Sequence, residues 1–136
     1  MKTYNKIPAI IFLLGLAVVA LSFTSEIQDP KPWPVPESAK TMKNPVKNDS
    51  EAISIGKALY AKHCRSCHGK SGEGDGTKAA ELETFPGDFT LPEFKAQTDG
   101  ALFYKTSEGR DDMPSFNKKI PNSEDLWSLV HYLKTF

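Results

Sequence analysis

The pattern of hydrophobic and polar positions divides the chain into three parts. An apolar run at 7–23 comes first and is followed by a proline-rich, polar stretch at 23–49. From residue 50 to residue 136, apolar side chains recur at helical spacing, and no stretch alternates with period two for long enough to predict a sheet. We therefore expect an all-α domain at 50–136, with three to four helices and long loops.

Three helices of this domain are predicted from their spacing and ends. The first begins near Ser50, capped by Ser50 itself or by Asn48 with Glu51 three residues on. A glycine-rich loop at 69–87 follows, and a short helix is expected from residue 98 or 99 to about 107, with Gly109 as its stop signal.

The last helix has the clearest signature. It opens at 121–123, and Glu124 and Asp125 suit its positive N-terminal end. Leu126, Val130 and Leu133 share one face, with Trp127 and Leu129 flanking it.

The N-terminal run is typical of a targeting segment. Lys2 and Lys6 precede the uncharged stretch at 7–23, as in a secretory signal peptide, and Ala20 and Ser22 permit cleavage after residue 22. The alternative is an uncleaved anchor, since this length is at the lower limit for spanning a bilayer. In either case we expect the remaining chain to be extracytoplasmic, in the periplasm, with membrane attachment through 7–23 in the second case.

The stretch at 23–49 carries five prolines, which fix the backbone and remove hydrogen-bond donors, so we expect no regular helix there. The alternation of prolines at 30–36 favours an extended polyproline II segment. It is interpreted as a stiff tether, with Trp33 able to lie on the domain, or else as a docking strip for a partner protein.

Composition excludes several classes. The chain has 136 residues, with 17 basic and 17 acidic side chains. Residues 1–22 hold two lysines and no acid, so the rest carries 15 basic and 17 acidic groups, which argues against nucleic-acid binding. Two cysteines cannot form a disulfide-rich scaffold. A domain this small often needs a metal or a cofactor to stabilise it.

The segment that carries chemistry is 63–68, His-Cys-Arg-Ser-Cys-His. Cys64, Cys67 and His68 form Cys-x-x-Cys-His, the attachment signature of a c-type haem. Two thiols at this spacing can add to the two vinyl groups of one porphyrin, and the histidine that follows can bind the iron. Three alternatives stay open: a redox dithiol, a zinc site that includes His63, and a structural disulfide.

A haem iron used for electron transfer usually has a second axial ligand, either methionine or histidine. Met113 lies in a polar loop beside Asp112 and Pro114, where an apolar side chain suggests a partner. We predict Met113 as the distal ligand, because Met1 lies in the leader and Met42 precedes the motif. His131, in the last helix, is the chief rival.

With these residues, 50–136 resembles the class I, monohaem c-type cytochromes that bacteria export. Gly56 and Tyr60 match the glycine and aromatic positions that pack against the C-terminal helix in that family, where Trp127 or Tyr132 would receive them. Met113 and Pro114 match the distal Met-Pro pair, and the segments 72–76 and 85–89 resemble the loops after the haem motif. Pro86 is the candidate whose carbonyl would accept the N–H of His68.

The resemblance implies one covalent haem c, held by Cys64 and Cys67, with His68 and Met113 as iron ligands. It implies electron transfer between redox protein partners in a respiratory or oxidative chain, with no catalysis of its own. The alternatives are a fixed cytochrome subunit of a larger oxidoreductase complex and a five-coordinate haem protein that binds gas or peroxide. The apolar haem wall is expected from Leu59, Tyr60, Phe89, Phe94, Leu102, Phe103, Phe116, Trp127 and Leu133.

Overall fold

A computed structural model describes residues 32–136, and within them the protein is helical with no β-strand. The α-helices are α1 (Glu37–Lys40), α2 (Ser50–His63), α3 (Arg65–His68), α4 (Pro92–Lys95), α5 (Asp99–Glu108) and α6 (Ser123–Leu133). A 3₁₀ turn at Ala79–Glu81 completes the set. The predicted all-α class is confirmed. The three long helices, α2, α5 and α6, are those expected from the sequence, and α1, α3 and α4 each have four residues.

The helix ends follow from their capping residues. Asp49 caps α2 by accepting a hydrogen bond from the amide of Ala52, so the predicted caps, Ser50 and Asn48, are wrong by one position. Thr98 caps α5 and Asn122 caps α6 in the same way. Gly109 ends α5 with φ of 71°, a left-handed conformation that glycine adopts without strain.

Helices α2 and α6 make the central contact of the fold. A Cβ atom added at Gly56 would lie 2.3 Å from the carbonyl oxygen of Ser128 and 2.7 Å from Cβ of Tyr132. Only glycine therefore allows the two backbones to come this close. One turn later, the ring of Tyr60 packs against Tyr132, with centroids 5.4 Å apart.

Of the two aromatic residues predicted to receive α2, Tyr132 does so and Trp127 does not. The indole ring of Trp127 stacks on Phe103 of α5, with centroids 4.1 Å apart and planes at 19°. Trp127 belongs to a smaller buried cluster with Leu102 and Val130, beside the main core. The main core consists of Tyr60, Cys64, Phe89, Phe116, Ile120, Leu126, Leu129 and Leu133.

Residues 32–49 lie along the domain, and we call them the strap. The expectation of no regular helix here is wrong for α1, which begins directly after Pro36 and buries Ala39. The carbonyl of Ala39 occupies the space where Gly100 lacks a side chain. Helix α1 forms because Pro36 precedes these four residues and none of them is a proline, and because Ala39 packs against α5.

Two hydrogen bonds fasten the end of the strap to α6. The side-chain amide of Asn44 donates to the carbonyl of Trp127 at 3.1 Å. The Nε2 atom of His131 lies 2.8 Å from the carbonyl of Val46. The buried His131 therefore serves the contact between strap and helix.

The predicted leader at 1–22 and the first residues of the proline-rich stretch lie outside the described residues. Among helices within 32–136, none is long and apolar enough to cross a bilayer.

Candidate haem site

The attachment motif sits where α2 turns into α3. The amide of Cys64 donates to the carbonyl of Tyr60 at 2.9 Å, which continues the hydrogen-bonding of α2. The amides of Cys67 and His68 both donate to the carbonyl of Cys64, at 3.1 and 3.0 Å. The two cysteines thus lie one helical turn apart; both are free thiols, Cys64 buried and Cys67 partly buried.

The glycine-rich loop folds back onto this turn and satisfies its carbonyl groups. Amides of Gly74, Gly76 and Lys78 donate to the carbonyls of His68, Cys67 and Ser66, at 3.0, 3.1 and 2.8 Å respectively. The buried hydroxyl of Tyr60 donates to the carbonyl of Gly69 at 2.8 Å. These bonds, all made within the chain, hold the backbone of the motif in place.

His68 has the environment of a neutral ligand. Its ring stacks on Phe89, with centroids 4.5 Å apart and planes at 30°. Burial lowers the pKa of His68 to about 4, so the imidazole is uncharged at neutral pH and keeps a nitrogen lone pair for a metal.

The predicted partner of His68 is not in place. Its Nδ1 atom is buried and has no hydrogen-bond partner within 32–136, so the carbonyl of Pro86 does not accept from it. The structure therefore contradicts the role expected for Pro86. Pro86 lies three residues before Phe89, whose ring stacks on His68, and no hydrogen bond joins the Pro86 carbonyl to Nδ1 of that imidazole.

Met113 closes a four-residue turn that begins at Arg110. The two residues exchange backbone hydrogen bonds, each 2.8 Å long, and Asp111 between them has φ of 49°. The side chain of Met113 is partly buried and packs against the main core, the cluster that contains Cys64. The fold therefore brings this distant methionine to the same apolar region as the attachment motif.

Asp112 fastens this turn to a loop that sequence reasoning did not connect with it. Its Oδ2 atom accepts from the amide of Glu83 at 2.9 Å, the amide of Thr84 at 3.0 Å and the hydroxyl of Thr84 at 2.9 Å. The hydrogen bonds from Thr84 hold the pKa of the Asp112 carboxyl below its usual value. The sequence shows an acidic residue beside the candidate ligand, but it does not reveal the hydrogen-bond partners of Asp112, which lie 28 and 29 residues away in the chain.

Comparison with known proteins identifies the family of the chain. Residues 51–133 match the family model described as cytochrome c oxidase, cbb3-type, subunit III. The chain belongs to this family of c-type cytochrome domains. Haem-based electron transfer is the chemistry of such a domain, and haem c is its cofactor.

A solved structure supports the same assignment. The chain is similar to a chain of a reducing HAO-like protein complex of Kuenenia stuttgartiensis, with 28% identity and a TM-score of 0.62. The match covers 81% of this cytochrome and 52% of the solved chain, so the protein spans about half the length of that relative. The comparison with curated proteins gave no match.

The residues at the site fit a covalent haem. The cytochrome offers two free thiols one helical turn apart and an uncharged imidazole beside them. Cys64, Cys67 and His68 would hold the group, and Met113 lies against the same apolar cluster.

The alternatives to a haem find less support. Burial, followed by the charge of Cys67, raises the pKa of the Cys64 thiol to about 12, whereas a redox dithiol needs a lowered thiol pKa. Within the part of the chain that the structure describes, no group of three or more His, Cys, Asp or Glu side chains is arranged to hold a metal ion, as a zinc site would require.

The expected apolar wall is present in part. Seven of its nine residues lie in the main core or pack against it: Leu59, Tyr60, Phe89, Phe94, Phe103, Phe116 and Leu133. Phe94 and Phe103 contact both clusters, whereas Leu102 and Trp127 belong to the second cluster, between α5 and α6. The sequence pattern missed Ile120 and Phe136, which contribute to the main core.

Proposed function

We propose that this cytochrome transfers electrons through one haem c, bound covalently by Cys64 and Cys67, with His68 and Met113 as axial ligands. The packing of Met113 against the cluster that holds Cys64 is the observation that carries this proposal. When bound, the haem supplies an iron that accepts and releases one electron. A thioether ligand and an apolar surrounding both favour the reduced iron and raise its reduction potential.

The chain's own residues hold the attachment motif and the ring of His68 in fixed positions. The hydrogen bonds from Gly74, Gly76 and Lys78 hold the motif backbone, and Phe89 holds the plane of His68. Because these contacts do not depend on the charge of the iron, we expect little rearrangement on electron transfer. We therefore propose a carrier and no catalysis by this domain itself.

The proposed partners are redox proteins that dock beside the attachment motif. Lys62, Arg65 and Lys70 are exposed there. Nζ of Lys119 lies 5.2 Å from the ring centroid of Phe116, and His63 packs against the same ring with centroids 6.1 Å apart, so Lys119 belongs to the same positively charged surface. A partner with an acidic face fits this surface, in a small and transient interface.

A fixed subunit of a larger oxidoreductase complex is the second candidate. It is favoured by the likeness to one chain of the Kuenenia stuttgartiensis complex, whose length is about twice the matched part. For either role we propose an extracytoplasmic location, since the start of the chain has the pattern of a signal peptide or anchor. Co-purification with membranes or with a partner protein separates the subunit from a free carrier.

The optical spectrum of the purified holoprotein tests the ligand set. With Met113 bound, the ferric protein shows a weak sulfur-to-iron band at the red end of the spectrum, and the ferrous protein binds carbon monoxide slowly. A ferric spectrum without that band, together with rapid carbon monoxide binding, would show a five-coordinate iron and favour a gas-binding or peroxidatic protein.

A further inference from the structure

The turn from Arg110 to Met113, which we call the Met113 turn, is fastened to two other segments of the chain. We propose that Asp112 and Trp33 are positioning residues that keep Met113 at the iron. The inference rests on the proposed axial role of Met113. It assigns a function to the strap, which lies outside the residues that match the family model.

The first fastening joins the Met113 turn to the attachment motif. Oδ2 of Asp112 accepts the three hydrogen bonds from Glu83 and Thr84, at 2.9–3.0 Å. The segment 78–84 is in turn bonded to the motif, because the amide of Lys78 donates to the carbonyl of Ser66 at 2.8 Å. A short path of fixed backbone therefore links the proposed distal ligand with the residues that hold the haem.

The second fastening joins the Met113 turn to the strap. The guanidinium of Arg110 lies 4.6 Å from the ring centroid of Trp33, and its Nη1 donates to the carbonyl of Pro32 at 2.9 Å. Nε of Arg110 also pairs with Asp111 at 3.2 Å. Since the backbone of Arg110 exchanges both hydrogen bonds with Met113, holding the guanidinium holds the methionine as well.

The position of the turn explains why two fastenings matter. Asp111, Asp112 and Pro114 are exposed, and Met113 is the partly buried residue among them. An exposed turn held only by its own two hydrogen bonds opens at little free-energy cost. An axial ligand needs its position held closely by surrounding contacts, and the two fastenings supply them from residues 32–33 and 83–84.

Competition by imidazole measures how firmly Met113 is held. In the ferric holoprotein, external imidazole binds only when the thioether leaves the iron, so its affinity reports the opening of the Met113 turn. We expect Asp112→Ala and Trp33→Ala each to raise the imidazole affinity by roughly tenfold, which corresponds to the loss of one or two net hydrogen bonds or one cation–π contact. Trp33→Phe, which keeps an aromatic face, should give an intermediate value.

Two control variants match these changes. Glu81→Ala removes one exposed negative charge from the loop that Asp112 contacts, and Met42→Ala shortens an exposed apolar side chain of the same strap. Both should leave the imidazole affinity within about twofold of wild type. The reduction potential should fall in Asp112→Ala and Trp33→Ala and stay constant in the controls.

The outcomes separate this inference from the proposed function. If the wild-type ferric protein lacks the sulfur-to-iron band, Met113 is not a ligand, and both proposals fall. If the band is present and Asp112→Ala and Trp33→Ala bind imidazole as wild type does, Met113 remains the ligand and the positioning role is wrong. If these variants lose thermal stability but keep the imidazole affinity and the reduction potential of wild type, Asp112 and Trp33 stabilise the fold and do not position Met113.

Discussion

At the scale of single residues, the site combines positions that a local motif reveals with positions that only folding brings together. Cys64, Cys67 and His68 were predictable because haem attachment requires them within five consecutive residues. Asp112 was not, because its partners at Glu83 and Thr84 lie in a loop without a helical or strand pattern. The sequence also did not predict that Nδ1 of His68 lacks a hydrogen-bond partner within 32–136, because the expectation for Pro86 came from a resemblance and not from a distance.

The axial role of Met113 makes a prediction at this scale. Met113→Ala removes the thioether, so external ligands gain access to the iron and the reduction potential falls. Titration with imidazole and a potentiometric titration measure both effects. Met42→Ala is the matched control, because that methionine lies on the strap and is 41% exposed. Equal potentials in the two variants would contradict the assignment of Met113.

At the scale of secondary structure, the long helices were predictable and the strap was not. The spacing of apolar residues in α2, α5 and α6, with their capping residues, specifies each helix locally. Helix α1 has four residues, too few for any periodic signal, and it is stabilised by the burial of Ala39 against α5. Tertiary contact decides its structure, so a prediction from proline content alone was wrong.

The α2–α6 crossing gives a prediction of stability. Gly56→Leu places side-chain atoms where the carbonyl of Ser128 lies, so the helices must separate. We expect a loss of roughly 3 kcal/mol in the free energy of unfolding, the upper part of the range for overpacked cores. Denaturant unfolding of the holoprotein measures it. Lys57→Leu, at the neighbouring exposed position of α2, is the control and should change stability by less than about 0.5 kcal/mol. Equal stability of the Gly56→Leu variant and the wild type would show that the close approach is not required.

At the scale of the whole molecule, the strap shows that residues 32–49 of the proline-rich stretch are part of the folded unit. Trp33 does lie on the domain, between Lys105 and Arg110, at 5.6 and 4.6 Å from the two cations. With Asn44 and Val46 bonded to α6, residues 32–46 are fixed along the domain surface.

The charge distribution makes a prediction for association with partners. If Lys62, Arg65 and Lys119 attract an acidic redox partner, the second-order rate of electron transfer should fall as salt is added, because exposed charges are screened within about 10 Å at 0.1 M. Lys62→Gln with Lys119→Gln should slow the reaction at low salt and flatten its salt dependence. Lys43→Gln, on the exposed strap, is the control. A rate that does not depend on salt would rule out this docking face.

Covalent attachment of one haem to the chain is tested by the mass of the intact protein, measured under denaturing conditions after export in a host that attaches haem. We expect one chain carrying the added mass of a single haem, which unfolding does not release, weakened or abolished retention of that mass in Cys64→Ala or Cys67→Ala, and its complete loss when both cysteines are replaced. A colourless wild-type protein with the mass of the polypeptide alone would contradict it.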